Sequence, residues 1–343
     1  MKKVSKSLLY FIFILTLSVT KTSYCEISED IFAELNEQDL EIFHKTFRSN
    51  CTSEVFFKNL KKHGSFPSFG KVNEWKNKCE ESNNIDNSSN FLDFIITNFK
   101  LKRIDKTEGI LTGYYQPIIN VSRRRSELFK FPILKKNISY VGKTRKLINE
   151  DFNLSDVILW TDDKVDLFFL HIQGSGLGKL ENKEFVNLSY SGNNDLKYSS
   201  IGNLLIKKNY LKSNNVDMFV IKNWLRSNPD LADQIMNSNE RFIFFESSLK
   251  PDDNNNPKGA IGLKLIPNQS IAVDKKYYPL GLPFIIKGSE DNFIKTSISM
   301  DTGSAIKGPN RADLFYGRGK QAELLAGVLK KKIYLYAFIP YIK

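Results

Sequence analysis

The sequence predicts an α+β protein, mainly β, and not a doubly wound sheet. Short strand-like segments recur in both halves, helical spacing is confined to patches, and no internal repeat is visible. With 343 residues, 41% of them hydrophobic, the chain can bury a core and has length enough for two domains. Its 26 Phe and 14 Tyr exclude a disordered chain. The formal net charge is +12, with lysines dispersed rather than blocked. Nucleic acid, anionic lipid and other acidic polymers suit such a surface equally well, so charge alone decides nothing.

The N-terminus is more informative. Met1 to Lys6 is short and basic, and Leu8 to Val19 is an apolar run too short for a typical membrane span. Ser23-Tyr24-Cys25 places small residues at −3 and −1 before Glu26, which predicts a secretory signal peptide over residues 1–25. Its removal takes away four lysines and no acidic residue from +12, leaving +8. A lipid anchor on Cys25, against which the bulky Tyr24 argues, and an uncleaved anchor are the other options. Two cysteines remain, Cys51 and Cys79. In an exported protein an even pair suggests a disulfide, and two buried thiols are the alternative. Two cysteines and the scattered His44, His63 and His171 are too few for a metal site, so no zinc is expected.

In chain order, Ile31, Leu35, Leu40, Phe43 and Phe47 recur at near-helical spacing. Val55 to Lys62 is a second helix stopped by Gly64. Lys71 to Glu81 is a third, with Trp75 and Cys79 on one face. After an Asn-rich loop, Ser89 or Asn90 caps a helix through Phe91, Phe94, Ile95 and Phe99. The character then turns to β. Gly109 to Gln116 is a strand ended by Pro117, and its paired Tyr114 and Tyr115 read either as a sugar-stacking platform or as core aromatics. Ser122 to Arg125 is a basic turn and Thr144 to Ile148 a short helix. Asp166 to Gln173 reads as a buried strand running into Gly174-Ser175-Gly176-Leu177-Gly178-Lys179. This run is neither a Walker loop, since Leu180 follows Lys179, nor a dinucleotide fingerprint, since Lys179 stands where a third glycine belongs.

Phe185 to Tyr190 is another strand, with Gly192-Asn193-Asn194 as its turn. Helices follow from Ile201 to about Leu211, Val216 to Leu225 and Leu231 to Ser238, then a strand from Arg241 to Glu246. After a polar loop, Gly259 to Leu265, Ser270 to Val273 and Leu282 to Ile286 are all strand-like. Gln321 to Lys332 is helical, and Ile333 to Ile339 closes the chain as a strand.

Ser297 to Gly319 holds the candidate chemistry. Ile298 and Met300 end a strand at Asp301, where Thr302-Gly303-Ser304 turns the chain. Pro309-Asn310 marks a second turn, after which Asp313 precedes Leu314-Phe315-Tyr316. The spacing predicts two carboxylates delivered by tight glycine turns, with Lys307 and Arg311 between them. Two solvated turn aspartates beside surface cations are the plain alternative. Asp301-Thr302-Gly303 is also an aspartic-protease signature, but that chemistry needs a second copy, and the chain has none.

These pieces resemble the membrane-bound lytic murein transglycosylase A family, whose C-terminal part is the three-aspartate (3D) domain. The resemblance rests on Thr112-Gly113-Tyr114-Tyr115-Gln116-Pro117, Gln173-Gly174-Ser175-Gly176, Tyr190 with Asn193, Tyr198 to Gly202, Gly259 to Gly262 and Asp301 to Gly319. Ser304, Gln116 and Glu181-Asn182 depart from the usual pattern without removing a C-terminal carboxylate. The resemblance implies a double-psi β-barrel domain from residues 26–114 and 245–343. It implies a smaller β-barrel domain inserted over 115–244, with a glycan groove between them. It implies Asp313 as the catalytic aspartate and Asp301 as its assisting carboxylate. Thr112, Tyr114, Tyr115, Gln173, Gly174, Ser175, Gly176, Tyr190 and Lys307 are the implied substrate contacts. The implied protein is a monomer, exported to the periplasm and associated with the outer membrane, that acts on peptidoglycan without a cofactor, a metal or nucleic acid.

Glycosidic cleavage needs a proton for the leaving oxygen. In a lytic transglycosylase the muramic C6 hydroxyl attacks C1, so one residue serves first as acid and then as base. A free aspartate titrates near 4, so Asp313 must be held protonated by burial or by Asp301, with Lys307 and Arg311 facing substrate or backbone. The rival readings are a hydrolase using Asp301 as base toward water, and a non-catalytic wall-binding module.

Overall fold

A computed structural model describes residues 30–62, 69–214, 216–249 and 256–341. The predicted signal peptide, Gly64 and most of the polar loop after Leu249 lie outside these residues. Five helices come first: α1 Asp30–Ala33, α2 Glu37–Cys51, α3 Glu54–Lys62, α4 Val72–Asn83 and α5 Ser88–Asn98. Asn36 caps α2 by accepting from the Asp39 N–H, and Asn87, not Ser89 or Asn90, caps α5 through the Asn90 N–H. Cys51, at the end of α2, is joined to Cys79 of α4 across 5.5 Å between Cα atoms.

Seven strands form the first sheet: β1 Phe99–Lys102, β2 Gly109–Gln116, then, past the insert, β9 Ser270–Val273, β10 Pro283–Gly288, β11 Ile294–Asp301, β12 Arg311–Arg318 and β13 Lys330–Pro340. The order β1-β13-β10-β11-β9-β12-β2, with β13 also paired to β2, closes six of them into a barrel and leaves β1 outside. Two pairs, β11–β9 and β12–β2, are parallel and the rest antiparallel. The helices pack one end of this barrel through an aromatic core in which Phe43, Phe47, Trp75, Phe91, Phe99 and Phe338 are all almost fully buried. The Trp75 indole N–H is satisfied by Phe69 O at 2.7 Å.

The second sheet is open and six-stranded, in the order β4-β5-β3-β6-β7-β8. Its strands are β3 Ile118–Ser122, β4 Phe131–Leu134, β5 Val157–Thr161, β6 Gly176–Leu180, β7 Phe185–Asn193 and β8 Ile243–Leu249. Helices α6 Arg145–Glu150, α7 Lys164–Gln173, α8 Ile201–Lys207, α9 Met218–Ser227 and α10 Pro229–Asn237 accompany it, and α11 Gly319–Val328 lies on β2 and β12 of the barrel.

Several expectations are corrected. Residues 166–173 are helix, not strand: Asp163 caps α7 by accepting from the Val165 and Asp166 N–H groups, and Gly174 ends it in the left-handed conformation. Residues 259–265 form a turn with one bridge between Lys258 and Lys264, because Gly262 has φ +86° and a side chain on Gly259 would strike Met300 O. Gly192 and Asn193 belong to β7 rather than to a turn, and α8 stops at Lys207. Asp313 sits within β12, not at a turn. The boundary expected at 244/245 cuts through β8, whose pairing with β7 reaches Leu249.

Candidate active site

Strand pairing places the two aspartates. In the parallel β12–β2 register Asp313 faces Thr112, and on its other side β12 sets it against Ala272 of β9. Side chains opposite one another on neighbouring strands point the same way. The Thr112 hydroxyl accordingly donates to Asp313 Oδ1 at 2.5 Å. Asp301 ends β11 just after a register shift between Ser299 and Asp301, an irregularity of the kind that re-aims a side chain. Its Oδ1 accepts from Ala260 N–H (3.0 Å) and Thr302 N–H (2.9 Å), and its Oδ2 from the Tyr114 hydroxyl (3.1 Å).

The two carboxyl groups differ in what holds them. Burial raises the Asp301 pKa against the pull of three donors. Burial also raises Asp313, to about 6, with a smaller upward push from Asp301; the Thr112 hydrogen bond and Arg311 pull it down. Arg311 turns its donors to Ile110 O, Ala312 O and the Thr112 hydroxyl. Since Thr112 Oγ1 accepts from Arg311, its own proton is committed to Asp313 Oδ1. Among the described residues no hydrogen bond reaches Asp313 Oδ2.

A cavity of about 180 Å³ opens over these groups between the two sheets. Tyr114, Asp301, Asp313 and residues 302–306 form its barrel side; His171, Gln173, Tyr198, Asn239 and Arg241 form the insert side. Tyr114 packs on Phe315 with ring centroids 5.3 Å apart, and burial beside Asp301 keeps its hydroxyl protonated. Tyr198 is likewise held neutral, by burial and by Asp313.

Of the contacts expected from sequence, Asp301, Asp313, Thr112, Tyr114 and Gln173 come together here. Tyr115 is a correction to the stacking platform: it is 3% exposed, packs on Ala322 and Ala326, and donates its hydroxyl to Glu323 at 2.8 Å, so its ring offers no face to a sugar. Its backbone N–H instead donates to Gln173 Oε1 at 3.1 Å. Gly174, Ser175 and Gly176 follow Gln173 outside the cavity walls, and a side chain on Gly176 would strike Leu170. Tyr190 is exposed and accepts from Asn193 Nδ2, and Lys307 is exposed beyond the walls. His171, Asn239, Arg241 and the Ala260 N–H were not assigned to the site from sequence. Only Ala260 carried a usable signal there, the flanking Gly259 and Gly262.

The fold and site define a class: a closed six-stranded barrel and an inserted open sheet facing each other across a cleft that holds a half-buried aspartate pair. The models of two domains match this chain, the 3D domain over residues 269–339 and the MltA specific insert domain over 136–246. A membrane-bound lytic murein transglycosylase A homolog of Buchnera aphidicola is 27% identical over 76% of this chain and 72% of its own length. The crystal structure of a membrane-bound lytic murein transglycosylase from Agrobacterium tumefaciens superposes with TM-score 0.77 at 24% identity, covering 93% of this chain and 98% of that one. That of Escherichia coli MltA with bound chitohexaose does so with TM-score 0.71 at 20% identity, covering 90% and 91%. The chain belongs to the membrane-bound lytic murein transglycosylase A family.

Proposed function

We infer that this protein is a peptidoglycan lytic transglycosylase. It cleaves the β-1,4 bond between N-acetylmuramic acid and N-acetylglucosamine and leaves a 1,6-anhydromuramic end. One observation carries the reading: the cleft holds two carboxyl groups, and only one has an open oxygen. Both Asp301 oxygens are engaged, by three donors between them, which suits an electrostatic partner and not a base or nucleophile. Asp313 keeps Oδ2 free and has a pKa raised to about 6, near the range in which a carboxylic acid can donate and then accept a proton at work. With a single proton-transferring group, the attacking hydroxyl is best supplied by the substrate itself.

The geometry supports the following roles. Asp313 Oδ2 protonates the glycosidic oxygen as positive charge builds on the muramic ring, and the resulting carboxylate takes the proton of the C6 hydroxyl as that oxygen closes on C1. Asp301 nearby favours the protonated ground state and stabilises the cationic ring. Tyr114 and Gln173 line the groove, and Thr112 fixes which Asp313 oxygen faces the glycan. A glycan of several sugars outruns a cavity of about 180 Å³, so Ser175, Tyr190 and Lys307 belong to its continuation. The reading places the enzyme in the periplasm as a monomer at the outer-membrane surface, acting on glycan strands.

The test is a digest of purified murein followed by mass spectrometry. Anhydro-muropeptides are expected. Products heavier by one water indicate a hydrolase, and retained wall binding without soluble fragments indicates a binding module.

A further inference from the structure

The cleft is electrically lopsided. Both its carboxyl groups, Asp301 and Asp313, lie on the barrel side, and the one cationic side chain among its lining residues, Arg241, lies on the insert side. Arg241 Nη1 donates to Asn193 Oδ1 and Leu196 O, each at 3.1 Å, which leaves its other donors unspent. Among the described residues no carboxylate stands within ion-pair distance of it.

A second arginine lies behind that wall. Arg145 is 3% exposed, with Nε donating to Asn239 O at 2.8 Å, Nη1 meeting His171 Nδ1 at 2.8 Å and Nη2 reaching Arg241 O. It sits against Phe168 and Phe242, 4.9 and 5.3 Å from their ring centroids. Burial alone lowers its pKa, to about 9, so it remains a cation at neutral pH. A buried guanidinium with no carboxylate beside it is costly to keep. It also sets the neighbouring imidazole. Arginine can only donate, so His171 Nδ1 accepts and the ring proton lies on Nε2. Nε2 is buried with no partner among the described residues, although the ring lines the cleft.

The insert side therefore offers spare guanidinium donors, an unspent imidazole N–H and a fixed positive charge, with no acid among the described residues paired to them. We propose that this wall recognises a carboxylate carried by the glycan, and that Arg241 is the residue that selects it. The proposal rests on the transglycosylase reading and deepens it. Muramic sugars carry a lactyl group that ends in a carboxyl or continues into a carboxylate-bearing peptide, whereas a chitin strand has neither. Charge-assisted hydrogen bonds from Arg241 hold that carboxylate, His171 Nε2–H supplies a further donor, and Arg145 holds both in place from behind. The arrangement also keeps a third negative charge off the barrel side, where it would oppose ionisation of Asp313 after the first proton transfer.

The experiment compares two ligands in an Asp313→Asn background, so that binding is read without turnover: a murein tetrasaccharide bearing peptide carboxylates, and uncharged chitotetraose. The single variant is expected to prefer the murein ligand, with the preference shrinking as salt is raised. Adding Arg241→Gln is expected to cut the ratio of the two affinities on the order of ten-fold, and Arg241→Lys to restore part of it. An unchanged ratio, or equal weakening of both ligands, overturns the proposal. The reading beneath it fails separately, if the parent enzyme releases no anhydro-muropeptides.

Discussion

The two sides of the cleft are built differently. On the barrel side the working groups project from strands of a closed sheet: Asp313 and Thr112 face each other in register, and Tyr114 of β2 donates to Asp301 at the end of β11. On the insert side they sit where elements stop. His171 and Gln173 lie in the last turn of α7, and Asn239 and Arg241 in the segment leading to β8. Closed strands hold side chains to tight geometry, which proton transfer demands, while helix ends and loops tolerate variation, which suits recognition. Under the proposed reading the difference amounts to a division of labour: chemistry on the barrel, selection on the insert.

Asp313→Asn should have the largest effect, a loss of about 10²-fold or more in turnover with glycan binding retained. The same change should stabilise the fold at neutral pH. Because burial raises the Asp313 pKa above that of an unfolded aspartate, its stabilising protonated form is complete below about pH 4 and lost as pH rises through about 6. The variant escapes that loss, and up to about 3 kcal/mol is the ceiling on its gain at pH 7. Thermal melts at pH 3.5 and pH 7 check the sign; a variant less stable than the parent at pH 7 would contradict the burial assigned to Asp313.

Rigidity of the barrel side is the next target. The Cys51–Cys79 bridge closes a separation of 28 residues and ties α2 to α4 over the aromatic core. Replacing both cysteines with serine should lower stability by about 3 kcal/mol in denaturant melts. Activity at room temperature should persist, since neither residue lines the cleft. Collapse of activity without loss of stability would mean the helical layer shapes the site directly.

Thr112→Val is a finer probe. It removes a donor that pulls the Asp313 pKa down, so the pKa should rise. The limb of kcat/KM that falls as Asp313 loses its proton, near pH 6 in the parent, should move to higher pH. A pH–rate profile with an unmoved limb would remove Thr112 from the site.

Much of this was legible in the sequence, and the gaps have physical causes. The two carboxylates of the Asp301–Gly319 stretch stand out among its glycines as candidates, and the Trp75–Cys79 face marks its helix. Periodicity predicts a strand for the α7 segment because Leu167 to Ile172 is apolar but for His171, and a buried helix and a buried strand look alike in such a short run. Asp163 before it and Gly174 after it were the cap signals that should have decided for a helix. Gly259 and Gly262 mark a tight turn around Ala260, but which backbone N–H of that turn meets Asp301 is not written in side-chain identity. Arg145, His171 and Arg241 were invisible as a group because residues 26 to 96 positions apart meet only once the insert folds.

The smallest expected effect tests where the insert side ends. Ser175 lies two residues past Gln173, beyond the left-handed Gly174 that turns the chain out of α7, and it does not line the cavity beside Asp313. If the groove continues along this turn, Ser175 meets only glycan that extends past the cavity, and one neutral hydrogen bond there contributes about 1 kcal/mol. Ser175→Ala should therefore weaken binding of a murein hexasaccharide a few-fold, leave a disaccharide unaffected and keep the anhydro product. Titrations of both ligands in the Asp313→Asn background read this directly. Equal loss for both lengths would put Ser175 at the cleavage site, and no loss for either would end the groove at Gln173. In that last case the glycine turn serves only to stop α7 and to let Gly176 pack on Leu170.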